Sequence, residues 1–227
     1  MTPASALAAP LIELLDLSHP PVAITFGTRP ATAGGDEIPA QPAGCCFWEP
    51  AQRQRLDTRV ADHANCSVGS YTHGLTDLDT AASGADTAAL ISSGWIAQAD
   101  FASVAHLAVR PTSIRYEPLS EAAGPDVVLV RLSPSSLMTL QGACPEVRLA
   151  TKPQCQIIPL AYDGQIAVSP GCAVSRVRTG LPAGEMTCAM PAGSLPAVVD
   201  RLRRTVTADQ VAAGYADTDR ERFQTLN

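Results

Sequence analysis

The sequence predicts an α/β (or α+β) protein, a mixed sheet with a central buried strand near 126–132 flanked by helices in a single compact unit. Three observations predict it. Pro125-Asp-Val-Val-Leu-Val-Arg-Leu132 is a nearly unbroken β-branched and aliphatic run, the pattern of a strand buried on both faces. Ser133-Pro-Ser-Ser136 follows at once and reads as a helix start, with a serine cap and Pro134 near the first helical position. The chain has 227 residues, 46% hydrophobic and 17% charged, which is ample for a sizeable core. No repeat and no Gly/Ser linker forces a cut, so the domain is drawn over 1–206, with 207–227 as a polar C-terminal helical arm or tail.

In order, Ala4–Leu17 sets Leu7, Leu11, Leu14 and Leu15 at helical spacing, and His19-Pro-Pro21 ends it. Glu13 and Asp16 lie in its apolar stretch and no basic segment precedes it, so it reads as an amphipathic helix and not a secretory signal. Val22–Phe26 is a short buried strand. Residues 28–42, rich in Gly, Pro, Ala and Thr, read as an exposed loop, and Glu49–Arg55 as a helical turn. A helix opens near Ser67. Thr80–Leu90 and Ile91–Leu107 are loosely patterned helices broken at Gly94. Ser113–Pro118 and Met186–Met190 are strands. Gln156–Leu160 and Gln165–Val168 are short apolar runs parted by Asp163-Gly164. The last predicted helix runs over Ser194–Val206, capped by Ser194 and burying Leu195, Val198, Val199 and Leu202.

A net charge of −6 argues against non-specific binding to nucleic acid or anionic membrane. No apolar run reaches the ~18 residues of a membrane span. A cytoplasmic protein is expected, acting on a small-molecule substrate or an electron-transfer partner, with homo-oligomers left open. Seven cysteines is many for such a chain and an odd number. A disulfide framework is therefore disfavoured, and metal, cluster or thiol chemistry is the better explanation for some of them.

The densest chemistry lies in Ala61-Asp-His-Ala-Asn-Cys-Ser-Val-Gly-Ser-Tyr-Thr-His-Gly74. Cys66 there falls at a helix start, where the dipole favours thiolate. Three more cysteines sit in loop-like contexts: Cys45 after Pro42-Ala-Gly44, Cys155 after Pro153, and Cys172 after Pro170-Gly171. Glycine lets the backbone approach a sulfur closely, and thiolates so placed are good ligands for iron. Each residue also has a plain reading. Cys144 and Cys188 sit in apolar segments and read as core, and Cys46 is ambiguous. His63 and Asp62 are also read as turn caps, His73 as a partner for a backbone carbonyl, and Tyr71 as packing. Arg176 and Arg178 either balance anionic charge or sit in a solvated loop. No nucleotide-binding loop, His-Glu-x-x-His or Cys-x-x-Cys is present.

The chain resembles the bacterial and archaeal ArCR family, a domain of unknown function. The matching pieces are Pro21–Phe26, Ala43–Trp48, Asp62–His73, Pro125–Leu129, Lys152–Cys155, Ser169–Cys172 with Arg176, and Gly184–Met186 leading to Met190-Pro191. The resemblance implies a cysteine at Cys45, Cys66, Cys155 and Cys172. It departs at Cys46, where the family carries another residue, and at Arg55-Leu56, where it carries an aromatic. It implies no reaction. The leading expectation is a [4Fe–4S] protein with those four cysteines as ligands, Asn65 and Arg176 beside the cofactor, and His63 and His73 as catalytic proton carriers. This would be a redox or lyase/desulfidase-type enzyme. The alternatives are a cofactor-free enzyme with Cys66 as nucleophile and His63 or His73 as base, and a non-catalytic metal- or cluster-binding protein.

Overall fold

The computed structural model describes residues 2–27, 39 and 41–223. Seven strands form one sheet: β1 Val22–Gly27, β2 Leu56–Arg59, β3 Ser113–Pro118, β4 Val127–Leu132, β5 Arg148–Leu149, β6 Ala167–Ser169 and β7 Met186–Pro191, in the order β2-β3-β1-β4-β7-β6-β5. The predicted central strand is the middle one, paired antiparallel with β1 and β7. The sheet is mixed because β5 and β6 pair parallel. The helices are α1 Ala8–Leu15, α2 Ser67–Thr72, α3 Leu78–Ala82, α4 Ala85–Ser92, α5 Gln98–Ala102, α6 Pro134–Ala143, α7 Ile157–Tyr162, α8 Ala173–Thr179 and α9 Leu195–Arg222.

Strand alternation sorts the core into two layers. Ala23, Val128, Val130, Leu132 and Cys188 face one layer, closed by Leu11 and Leu15 of α1, Leu140 of α6 and Val198 and Leu202 of α9. Val22, Ile24, Val127, Leu129 and Tyr116 face the other, closed by short helices and tight turns that carry Phe47, Trp48, Phe101 and Ile157. Cys144 and Cys188 are fully buried in the first layer. Cys45, Cys66 and Cys155 belong to the second.

Ser133 Oγ accepts from Ser136 N–H at 3.1 Å, the predicted cap of α6. The helix predicted over 4–17 is a tight turn at Ala4–Leu7 followed by α1, closed by Asp16 at φ +48°. The two long helices expected over 80–107 are three short ones. Gly84 separates α3 from α4, and a Cβ there would lie 2.1 Å from Ser67 Oγ. Gly94, at φ +72°, follows α4 directly after its C-cap Ser93. The run Gln156–Leu160 enters α7. Ser194 does not cap α9; its hydroxyl donates to Pro191 O at 2.9 Å. That helix runs on to Arg222, so the predicted polar arm is its exposed continuation. Residues 207–222 hold no proline, and half of them are good helix formers, so the helix carries through Gly214. The loop predicted over 28–42 lies largely outside the described residues.

Candidate functional site

Four segments each deliver one cysteine. Cys45 lies in the tight turn Gly44–Phe47, and Cys155 in the turn Gln154–Gln156 that leads into α7. Cys66 and Cys172 are the N-caps of α2 and α8. Their sulfurs accept the third-position amides: Gly69 N–H to Cys66 Sγ and Ser175 N–H to Cys172 Sγ, each 3.3 Å. A sulfur here occupies the place usually held by a serine or aspartate oxygen. All four cysteines line one cavity of ≈ 410 Å3, part of it open to solvent, together with Trp95, Asp86 and Arg178.

Two glycines permit the convergence. A Cβ on Gly69 would stand 3.2 Å from Cys66 Sγ, and a Cβ on Gly44 would stand 2.8 Å from His63 Nδ1. The turn bearing Cys45 therefore lies directly on the His63 ring. Asp86 holds the start of α2, accepting from Ser67 N–H at 2.9 Å and from Ser67 Oγ at 2.6 Å. Arg178 Nη1 reaches Cys66 Sγ at 3.5 Å. Lys152 Nζ stands 5.3 Å from the Trp95 ring centroid.

The sulfurs feel one another. The Cys45 thiol is held well above its usual range, first because it donates to the Cys46 sulfur, then by burial and by the charges of Cys155, Cys46 and Cys66. Burial, then Cys66, pushes Cys155 up to about 12, against a hydrogen bond from Thr72. Burial raises Cys66, opposed by the Gly69 amide and Arg178. Cys46 is lowered to about 7 by the bond from Cys45. Such a group of thiols cannot shed its protons together unless positive charge enters among them, which is what a bound metal centre supplies. Among the described residues, no three His, Cys, Asp or Glu side chains are arranged to hold a metal ion directly. A single tetrahedral zinc would draw its sulfurs to about 3.8 Å of one another, given Zn–S bonds of about 2.3 Å. The four thiols border one cavity, and four thiolates are donors of the kind that zinc and iron–sulfur clusters both accept.

His63 and His73 do not line the cavity; they lie fully buried behind it. Thr58 Oγ1 donates to Ile114 O, so it must accept from His63 Nε2–H at 2.9 Å, which leaves Nδ1 a bare lone pair with no partner. His73 Nδ1–H donates to Gly69 O at 2.8 Å and leaves Nε2 bare. Burial keeps both rings neutral, lowered to about 3 for His63 and about 4 for His73. Neither ring is hydrogen-bonded to Cys66, and the Asp62 carboxylate accepts from Arg59 N–H instead.

Asn65 also misses the cavity and donates to Gln41 O at 2.9 Å. Arg176 turns away from it, bonding the carbonyls of Pro170, Leu181, Pro182 and Glu185. Its neighbour Arg178 is the cation at the sulfurs. In sequence the two arginines are equivalent, and only the register of α8 separates them. Asp86, Trp95 and Gln154 had no local signal, because each reaches the cavity from a segment with no chemical pattern of its own. Tyr71 packs on Phe101 and its hydroxyl meets His106 Nδ1 at 3.0 Å.

A family model described as uncharacterised ArCR matches residues 10–201. No curated protein and no solved structure matches.

Proposed function

We propose, from the premise that this chain belongs to the ArCR family, that it binds a [4Fe–4S] cluster through Cys45, Cys66, Cys155 and Cys172 and acts as a redox or lyase/desulfidase-type enzyme on a small molecule. The observation that carries this reading is that four cysteines from four separate segments line one cavity, while Cys144 and Cys188 lie across the sheet. Amide hydrogen bonds to two of the sulfurs and the guanidinium at Cys66 are the surroundings that stabilise thiolate and tune a cluster. When bound, the cluster supplies one-electron chemistry or, at an iron left without a protein ligand, a Lewis acid. The protein's own residues divide the remaining work. Gly69 N–H and Ser175 N–H orient the sulfurs, Arg178 balances their charge, and the neutral His63 ring supports the Gly44–Cys45 turn. The histidines act as positioning residues, since neither borders the cavity. Seven free cysteines suit a reducing compartment, and we place the protein in the cytoplasm on that ground.

The cofactor-free alternative needs a base on the Cys66 sulfur. The groups at that sulfur are an amide and a guanidinium, and burial raises the thiol, so this reading is less well supported.

The test is anaerobic purification, or reconstitution with iron and sulfide, followed by iron, sulfide and visible-absorbance measurement. The expected result is about four irons per chain, strongly reduced in single serine variants of Cys45, Cys66, Cys155 and Cys172 and retained in Cys144→Ser and Cys188→Ser. A protein that stays colourless and iron-free while folded overturns the reading.

A further inference from the structure

A second cavity lies back to back with the first. It encloses ≈ 420 Å3, part of it open to solvent, and shares Cys45 and Gln154 as walls with the thiolate cavity. Its inner surface is apolar, built by Val22 and Leu129 of the sheet with Trp48 and Leu181. Two polar side chains in this wall are uncommitted. Trp48 Nε1–H is buried with no acceptor, and the Gln52 amide, on a side chain 8% exposed, keeps contact with solvent and makes no hydrogen bond among the described residues. A buried donor with nothing to donate to calls for a guest or an ordered water.

Of the other polar groups of the lining, Gln154 and Arg131 already have partners and Glu49 does not. Gln154 Nε2 donates to Thr187 Oγ1 at 3.0 Å, and its Oε1 accepts from Ser175 Oγ at 2.5 Å. Arg131, the lining cation, is paired with Glu185 at 2.7 Å. Glu49 is exposed and has no ion-pair partner among the described residues. An anion entering here would meet an unpaired carboxylate and a cation whose charge Glu185 already balances, whereas an uncharged molecule meets an apolar wall, an amide and an indole N–H.

We propose that this cavity binds a small uncharged molecule with an apolar body and a carbonyl-type acceptor, the C=O or C=S of an amide, ketone or thioamide. Gln52 and Trp48 hold the polar end, and Cys45 forms the partition toward the thiolate cavity. As a substrate pocket it rests on the reading that the neighbouring cavity holds the reactive centre. As a binding site it is tested apart from that reading.

The two tryptophans make the test direct, because Trp48 lines this cavity and Trp95 the other. Their indole N–H signals, 15N-labelled and assigned with Trp95→Phe, report the two spaces separately. Benzamide is the probe and benzoate its charged counterpart. Benzamide should move the Trp48 signal along a saturable curve and leave Trp95 in place, with benzoate at least tenfold weaker. Gln52→Leu, apolar and of similar size, should weaken benzamide several-fold, and Thr179→Phe at the half-buried lining position should block it. No saturable Trp48 shift up to the solubility limit of benzamide, equal or tighter binding of benzoate, or a shift confined to Trp95 would each overturn the proposal. Failure of the cluster reading looks different: no colour after reconstitution, while benzamide still binds.

Discussion

Arg176 and Arg178 show how much one residue's direction decides. Both lie on α8, both carry the same charge, and both follow Cys172. Arg176 spends its guanidinium on four backbone carbonyls and pins the loop after the helix. Arg178 stands at the Cys66 sulfur. Arg176→Leu strips charge-assisted hydrogen bonds from a partly buried loop and should cost about 2–3 kcal/mol, read as a lower urea midpoint. Arg178→Leu should leave that midpoint nearly unchanged, because its contact is with a site and not with the frame. If the cavity carries a cluster, the same variant should lose iron faster in air. The reverse pattern, a fragile Arg178→Leu and a sturdy Arg176→Leu, would mean that the two roles are exchanged. The sequence held the four cysteines legibly, because each follows a glycine or proline loop or sits at a helix start. It held the plain reading of His73, a bond to a backbone carbonyl, which is that of Gly69 four residues back. It could not hold the role of His63, which is fixed by Thr58 in β2 and braces the Gly44 turn, a contact no local pattern reveals.

Elements were legible where local chemistry and burial agree. β4 reads as a central strand because nearly every side chain on it is apolar, and it is buried on both faces. α6 reads as a helix because Ser133 and Pro134 mark its first turn. Ser133→Ala should therefore cost about 1 kcal/mol through loss of the cap on Ser136 N–H, seen as a small drop in midpoint at unchanged slope. No change would show that the neighbouring serines take over the bond; Ser133 Oγ lies 2.8 Å from Ser136 Oγ. The segment 78–102 was not legible. Its alanines and threonines suit helix without specifying where one ends, and the breaks fall where tertiary contacts need them. Gly84 is such a break, since a side chain there would strike Ser67 at the start of the helix that Cys66 caps. The short helices are thus subordinate to the site, and α1, α6 and α9 across the sheet are the frame.

At the scale of the whole molecule, that division places the neutral histidines and the protonated thiols in one layer, and together they set the pH range of stability. His63 and His73 have folded values of about 3 and about 4, below the ordinary 6.5. The unfolded chain therefore binds more protons below 6.5, and their contribution is present above that value and lost as the pH falls toward 3–4. With two protons taken up on unfolding, the slope is about 2.7 kcal/mol per pH unit in the middle of that window. The thiols act at the other end. Cys155 is raised to about 12 and Cys45 is raised well above 9.0, so the folded state keeps protons that the unfolded state sheds. Their contribution is full below about pH 9 and is lost as the pH climbs toward 12. Cys46, lowered to about 7, adds a further rise between about 7 and 9, so urea midpoints of the metal-free protein should climb from about pH 4 to about pH 9 and fall above it. His73→Gln should halve the acid slope and leave the alkaline limb untouched; an unchanged acid slope would show that other groups set it. Loading with iron and sulfide should make the alkaline limb shallower and leave the acid limb unchanged, because thiolates bound to a cation have no protons left to lose while Cys188 and Tyr116, also raised by burial, keep theirs. An alkaline limb identical with and without iron would separate the buried thiols from any metal.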